Sequence, residues 1–371
     1  MRILHIYKDY YPVVGGIENH IKLLAERQAA AGHQVTVLAT SQTRKTCTMS
    51  LNGVTIIKAA RLGTVASTPI SLRLPWEISR LQADISHLHF PYPVGEVSQF
   101  LLGHSRATVI TYHSDVVRQR AILCLYAPLM KRVLHNADCV IATTPNYIAS
   151  SEILRQLRAR CRVIPFGIDR DPFLNFDRAA ALEIRNRLGR IPIVLFVGVL
   201  RYYKGLTYLL DAMPRIKAHL LVVGDGPLRQ ELEMQAARMG ISSQVTFVGR
   251  VSDKELPAYY GAADIFVLPA CERSEAFGLV QVEAMSSGLP VISTELGTGT
   301  SYVNKHMESG LVVPPKDPEA LSQAINRLLI DEILRKQLAE GALRRSELFD
   351  VARMMHDIDA LYEEVLIPRP K

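Results

Sequence analysis

Asp264-Ile-Phe-Val-Leu-Pro269 runs into Ala-Cys-Glu-Arg-Ser-Glu275-Ala276, then into Phe277-Gly278-Leu279-Val-Gln-Val-Glu283-Ala-Met-Ser-Ser287, and stops at Gly288-Leu-Pro290. The first run is apolar and short enough for a buried strand, the middle is polar, and the last has helical spacing up to its glycine stop. A strand, a polar loop and a helix in that order make one βα step of a parallel sheet. Glu275 then lies just outside the helix N-terminus, and Glu283 about two turns further in. The free N–H groups near Phe277–Val280 form an anion site beside Glu275. A carboxylate is costly there unless it accepts hydrogen bonds from the same ligand. A phosphate carrying sugar hydroxyls meets both demands, whereas a helix with two incidental glutamates meets neither.

The same alternation extends outward in both directions. Strands are expected at Arg2–Tyr7, Val35–Ala39, Val54–Ala59, Ile85–His89, Thr108–His113, Cys139–Ala142 and Arg162–Pro165. A second series follows at Ile191–Val197, His219–Val223, Val245–Val248, Ile265–Leu268 and Val291–Ser293. Between the series, Phe166-Gly-Ile-Asp-Arg-Asp-Pro-Phe173 is punctuated by glycine and proline and reads as a hinge. The fold class is therefore α/β, with an expected first domain at 1–167 joined by a terminal helix in 351–371, and a second at 168–350. A length of 371 residues suits two domains, and 48% hydrophobic against 21% charged residues is a globular balance.

Charge is uneven. Residues 1–170 hold 20 Lys/Arg against 10 Asp/Glu, and the remainder 23 against 26. A basic first half points to an anionic partner, either an acidic lipid acceptor or a membrane surface. Nucleic acid is disfavoured because no basic run is interleaved with aromatics and no zinc finger is present. The five cysteines form no Cys-x-x-Cys pair, which argues for a reducing compartment. The N-terminus reads as a strand and not as a signal peptide, and no apolar run reaches membrane-spanning length.

With the strands in place, the motif Glu275-x7-Glu283 with Phe277-Gly278 between them resembles retaining glycosyltransferase family 4. That resemblance implies a GT-B architecture, two Rossmann-like domains facing across a cleft with a C-terminal helix crossing back to the first. It places Glu275, Ala276, Phe277, Gly278 and Leu279 around donor sugar and phosphate, and Glu283 on the ribose. Phe196-Val-Gly198-Val-Leu-Arg201-Tyr-Tyr-Lys204-Gly205 resembles the family's cationic loop, in which Arg201 and Lys204 neutralise the diphosphate. Many relatives carry the arginine directly after the strand glycine. Here Val199 stands there and Arg201 is the substitute. Two solvated cations would be the plainer reading.

Gly15-Gly16, after the first strand, resembles the family loop that approaches donor phosphate and acceptor; a simple tight turn is the alternative. Gly-x-Gly-x-x-Gly is absent from that turn, so a nicotinamide or flavin site is not indicated. Phe247-Val-Gly249-Arg250-Val251 resembles the loop lining the base, and Gly224-Asp-Gly226-Pro227 the cleft wall. Glu295-Leu-Gly297-Thr298-Gly299 ends a strand and is a candidate phosphate contact. His113 ends a strand and, through the resemblance, faces the donor sugar with Asp115 as its orienting partner. Tyr11, His89 and Asp115 are candidate acceptor contacts. His87 and His89 could also suggest a metal, but no third ligand is evident. Asp169-Arg-Asp171 and Asp357-Ile-Asp359 lack the strand-then-loop context of a metal–diphosphate site. No metal or other cofactor is expected.

The segment Val116–Arg132 mixes apolar bulk with basic ends, as an interfacial helix does, and a packed helix would show the same pattern. Wording around the motif resembles bacterial mannosyl- and rhamnosyltransferases of surface polysaccharide synthesis. It implies a GDP-linked hexose donor and a lipid-linked or saccharide acceptor, on the cytoplasmic side and peripheral to the membrane. A UDP-sugar transferase is the alternative within the family. A sugar-nucleotide epimerase, a phosphorylase and a nucleotide-sugar binding protein are the alternatives outside it.

Overall fold

The computed structural model describes residues 1–13, 15–65, 68–115 and 120–367, leaving aside the side chains of 120–125. It contains two compact units, one of Met1–Phe166 with the chain from Ala352 onward, and one of Gly167–Val351.

The first unit contains β1 (Arg2–Ile6), β2 (Gln34–Thr40), β3 (Cys47–Leu51), β4 (Val54–Ala59), β5 (Gly63–Val65), β6 (Thr68–Ile70), β7 (Gln82–Phe90), β8 (His104–Tyr112), β9 (Cys139–Ala142) and β10 (Cys161–Val163). Eight of them form one sheet in the order β10-β9-β8-β7-β1-β2-β4-β3, parallel except for β3 on β4, and β5 and β6 pair as a separate hairpin. The chain runs from β1 to β2 on one side, and β7, β8, β9 and β10 extend the sheet on the other. Helices occupy the crossovers because parallel neighbours cannot be joined by a tight turn. A ligand site in such a sheet lies where the strand order reverses, outside the carboxyl ends of the two diverging strands. Here those strands are β1 and β7.

The second unit repeats the plan with β11 (Ile193–Val197), β12 (His219–Val223), β13 (Val245–Gly249), β14 (Ile265–Leu268), β15 (Val291–Thr294) and β16 (Gly310–Val313). Its order is β13-β12-β11-β14-β15-β16, wholly parallel, so the reversal falls between β11 and β14. All five residues of β11 are buried, as the continuous apolar run Ile-Val-Leu-Phe-Val requires of a strand covered on both faces.

Sequence periodicity located the central strands but not β3, β5, β6 or β16. β3 is an exposed edge strand, Cys-Thr-Met-Ser-Leu, with no apolar alternation to announce it. β16 is four residues long and opens on a glycine. The helix expected from about Gly278 to Ser287 spans Leu279–Ser286, capped by Gly278 at φ +79°. The terminal helix, Val351–Leu366, packs on the first unit, where Tyr362 is fully buried beside His87. Of the expected interfacial segment, residues 116–119 lie outside the described part, and 120–136 form a helix. No described helix is long and apolar enough to cross a membrane.

Tyr362 ties the last helix to the first unit through its ring and its hydroxyl. Tyr362→Ala is expected to cost about 3–5 kcal/mol, the usual range for deleting a buried aromatic ring. Chemical denaturation followed by circular dichroism should register that loss, with Tyr362→Phe falling in between.

Candidate functional site

In the second unit, the loops after β11 and β14 are fastened to each other. Cys271 N donates to the Tyr203 carbonyl at 2.8 Å, and Cys271 Sγ approaches the Tyr202 carbonyl at 3.3 Å. Gly205 sits at φ +69°, and a Cβ there would stand 2.0 Å from the Pro269 carbonyl oxygen. Only glycine permits this approach. The fastening brings Lys204 Nζ to 2.5 Å from Glu275 Oε2, with side chains only 11% and 10% exposed. The contact is close but off-axis, since Oε2 has no aligned hydrogen-bond partner. Burial disfavours the Lys204 ammonium, yet Glu275 and then Tyr203 outweigh it, and the lysine pKa is held above its ordinary value.

Glu275 is also held from behind. Thr298 Oγ1 donates to the Glu275 carbonyl at 2.8 Å, and Gly299 N to the Ala276 carbonyl at 2.7 Å. The Glu295–Gly299 segment, read from sequence as a phosphate contact, thus uses Thr298 and Gly299 to brace the acidic loop. Thr298 is fully buried, a burial that its sequence context did not announce.

Phe277 is buried against Phe349, and the Gln281 amide donates back to the Phe277 carbonyl at 3.1 Å. Glu283 lies on the helix that follows, where Tyr260 donates to its Oε2 at 2.6 Å. Burial raises the Glu283 pKa, against the Tyr260 hydrogen bond and the Lys204 charge that lower it. Tyr260 had no sequence signal, being one of two adjacent tyrosines in a short, mostly apolar helix. Arg201 is on the Lys204 loop but exposed. Arg250 and Val251 follow β13, with Arg250 exposed. The Arg201 carbonyl accepts from Lys204 N at 3.0 Å, but among the described residues neither the Arg201 nor the Arg250 side chain pairs with Lys204 or Glu275.

In the first unit, the carboxyl ends of β1, β7 and β8 gather histidines. His5, His87 and His89 are fully buried, and His20 and His113 nearly so. His113 Nε2 meets His89 Nδ1 at 3.0 Å, and His89 Nε2 meets His5 Nδ1 at 3.1 Å. Asp115 is therefore not the orienting partner of His113. Its Oδ1 instead accepts from Tyr112 OH at 2.9 Å and Ser151 Oγ at 2.8 Å. Nor does His89 face an acceptor, because both its ring nitrogens are engaged inside the protein. The third histidine missing from the sequence reading is His5: one nitrogen each of His5, His87 and His89 lie within 4.8 Å of one another. Both nitrogens of His87 are already taken, by Tyr362 OH and Thr111 Oγ1 at 2.6 Å each. A metal would have to break one of those bonds.

His20 was also missed. Its signal was a polar residue within the buried helix face His20, Ile21, Leu24, Ala25 and Gln28. The Nδ1 atoms of His20 and His113 are buried without a hydrogen-bond partner among the described residues, at about 1–3 kcal/mol each. Gly15 caps that helix in extended conformation, φ −172°, and Gly16 begins it. A Cβ on Gly15 would meet the Glu18 carboxylate at 2.2 Å. The turn is thus shielded by an acid and is not an open anion site. Tyr11 is 46% exposed, its carbonyl accepting from Lys58 Nζ at 2.6 Å. Asp171 begins a short turn of helix that Asp169 precedes, and Asp357 and Asp359 lie on the terminal helix.

A model for glycosyltransferase family 4 matches residues 14–172, and one for glycosyl transferases group 1 matches residues 180–345. D-rhamnosyltransferase WbpZ of Pseudomonas aeruginosa is 42% identical over 331 residues, 88% of this chain and 86% of that protein. O-antigen chain mannosyltransferase C of Escherichia coli is 36% identical over 370 residues, 99% of each. This chain is a family 4 glycosyltransferase.

The transferase has the GT-B fold of two Rossmann-like domains. Sucrose-phosphate synthase of Thermosynechococcus elongatus matches it with TM-score 0.78 and 26% identity over 98% of each chain. Anabaena HepE in complex with UDP matches with TM-score 0.78 and 20% identity over 98% of this chain and 100% of that one, a likeness of fold. Family membership makes the enzyme a hexosyltransferase.

Two outcomes follow from the geometry of the transferase. Lys204→Met alone strands a buried carboxylate and is expected to cost about 3–5 kcal/mol, whereas the double variant with Glu275→Leu should recover most of it. Denaturant titration of the four proteins in the cycle gives the coupling. The second outcome concerns acid. Burial lowers His5 to about 4 and His20 to about 3, and sets His87, His89 and His113 well below the ordinary value. The unfolded chain takes up protons near pH 6.5 that the fold refuses. Stability is therefore complete above that pH and falls as pH drops toward 4. The slope should be about 1.4 kcal/mol per pH unit for each participating histidine. Unfolding free energies measured from pH 7.5 to 5 should show uptake of more than one proton.

Proposed function

We propose that this chain is a retaining transferase that moves a mannose-type hexose, mannose or rhamnose, from a GDP-linked donor. The acceptor is a lipid-linked or saccharide chain of a surface polysaccharide. The observation that carries the reading is the buried Lys204–Glu275 ion pair at the strand-order reversal of the second unit. The two curated relatives named above support the choice of sugar.

In this reading Lys204 changes partner when donor arrives. Its ammonium moves from Glu275 to the diphosphate, and Arg201 adds a second charge. Glu275 is released to accept hydrogen bonds from sugar hydroxyls, and the N–H groups of Phe277, Gly278 and Leu279 meet phosphate or sugar beside Ala276. Glu283, held through Oε2 by Tyr260, accepts from the ribose hydroxyls with Oε1. Arg250 and Val251 border the base. The sugar C1–O bond to the diphosphate breaks as the acceptor oxygen bonds to C1 on the same face. The acceptor hydroxyl proton passes to the departing phosphate oxygen. Lys204, Arg201 and the helix N-terminus balance the developing charge, so no divalent metal is required.

His113 contacts the donor sugar, and Gly15 and Gly16 approach the diphosphate once Glu18 turns aside. Tyr11 and Asp115 border the acceptor. The excess of basic residues in the first half suits an acidic lipid acceptor and peripheral contact with an anionic membrane on its cytoplasmic side.

The test is nucleotide release by purified protein in EDTA, from GDP-mannose and UDP-glucose separately, with and without a lipid-diphosphate GlcNAc acceptor. GDP release stimulated by acceptor is the expected result, falling about 10²–10³-fold in Glu275→Gln and Lys204→Ala. Release of UDP alone overturns the donor assignment. Donor conversion that ignores the acceptor points to an epimerase, and binding without release to a nucleotide-sugar binding protein.

A further inference from the structure

The first unit holds a line of hydrogen-bonded side chains behind His113 that the transfer mechanism above does not use. Gln28 Oε1 lies 2.7 Å from His5 Nε2, His5 Nδ1 lies 3.1 Å from His89 Nε2, and His89 Nδ1 lies 3.0 Å from His113 Nε2. His113 Nδ1 ends the line, buried and without a partner among the described residues. All three rings are buried and held neutral by desolvation, so each carries one N–H and one lone pair. In such a line the direction chosen at one end is imposed on every ring. An amide oxygen can only accept, which makes His5 the Nε2–H tautomer. Its Nδ1 must then accept from His89 Nε2–H, and His89 Nδ1 from His113 Nε2–H.

Gln28 is oriented by its other end. Its Nε2 lies 3.4 Å from Tyr362 OH, and that hydroxyl lies 2.6 Å from His87 Nδ1. The short 2.7 Å contact suits N–H···O, the shorter kind of hydrogen bond, better than an amide N–H to an imidazole nitrogen. Tyr362 can then accept from Gln28 and donate to His87, whose Nε2–H reaches Thr111 Oγ1. In this direction each ring nitrogen along the line has a partner among the described residues except the one at the far end.

We infer that Gln28, His5 and His89 are positioning residues that fix His113 as its Nε2–H tautomer, leaving Nδ1 as the acceptor for a hydroxyl hydrogen of the bound sugar. The inference rests on the transferase reading above. It also accounts for a buried imidazole nitrogen left unpaired at the carboxyl end of β8, a cost that a ligand hydroxyl removes. A reversed line would present Nδ1–H instead and would select a sugar acceptor atom in place of a hydroxyl hydrogen.

The experiment is long-range ¹H–¹⁵N correlation of the full chain labelled with ¹⁵N-histidine, assigned by His113→Gln. Expected in the absence of ligand is an Nε2–H tautomer at His113; an Nδ1–H tautomer overturns the inference whatever the enzyme transfers. Adding GDP-mannose should shift the His113 Nδ1 resonance, while GDP alone should leave it in place. No shift with a donor that the enzyme turns over overturns the sugar contact. Gln28→Met keeps the volume but removes the anchor, so His113 should populate both tautomers and kcat/KM should fall about ten- to a hundredfold. An unchanged tautomer in that variant overturns the relay. Because the tautomer is read without substrate, failure of the transfer assay and failure of the relay are seen separately.

Discussion

Reversal of strand order in each parallel sheet is the constraint on which both candidate sites depend. Right-handed crossovers allow a parallel sheet to grow only by helices over one face or the other, and where growth changes direction two neighbouring helices diverge. In the second unit this happens between β11 and β14, and the loops leaving those strands carry Lys204 and Glu275. In the first it happens between β1 and β7, whose ends carry His5 and His89. The polar groups that would be most costly in a closed core are thus placed where a crevice already exists.

The two sites meet the cost of burial by different means. Lys204 and Glu275 are buried as an ion pair, which holds the lysine pKa above its ordinary value, and the loops that carry them are fixed by the Pro269 carbonyl against Gly205 and by Thr298 behind Glu275. Breaking one partner leaves the other uncompensated, so the pair is poised for exchange with a ligand of the same charge pattern. The histidines avoid charge altogether. Desolvation keeps them neutral, and neutral rings can transmit direction along a line of hydrogen bonds as protonated rings cannot.

Much of this was legible in the chain. Continuous apolar runs such as Ile193–Val197 declared central parallel strands, and Gly278 and Gly288 bracketed the helix carrying Glu283. Edge strands escaped because their residues answer to solvent and not to a packed face, as the exposed Cys47–Leu51 does. The site divided along the same line. Glu275 and Lys204 were readable because their local sequence is itself the structure, a strand, a short loop and a glycine. Tyr260, Thr298, His5, His20 and Gln28 were not, because their partners come from distant strands and helices. Gln28 meets Tyr362 across 334 residues, a relation no window of sequence contains.

That division explains why the Asp115 assignment failed. Two residues of separation made Asp115 the natural partner for His113 from sequence alone. The Asp115 carboxylate is taken up instead by Tyr112 and Ser151, whereas register between parallel strands brings the partner ring to His113. His89 on β7 is paired in register with Thr111 on β8, two residues before His113, and the neighbouring strand carries the ring that His113 meets. A functional histidine at the end of a parallel strand should therefore be paired first with the strands beside it. The same rule leads from His89 to His5 on β1, where His5 pairs in register with His87.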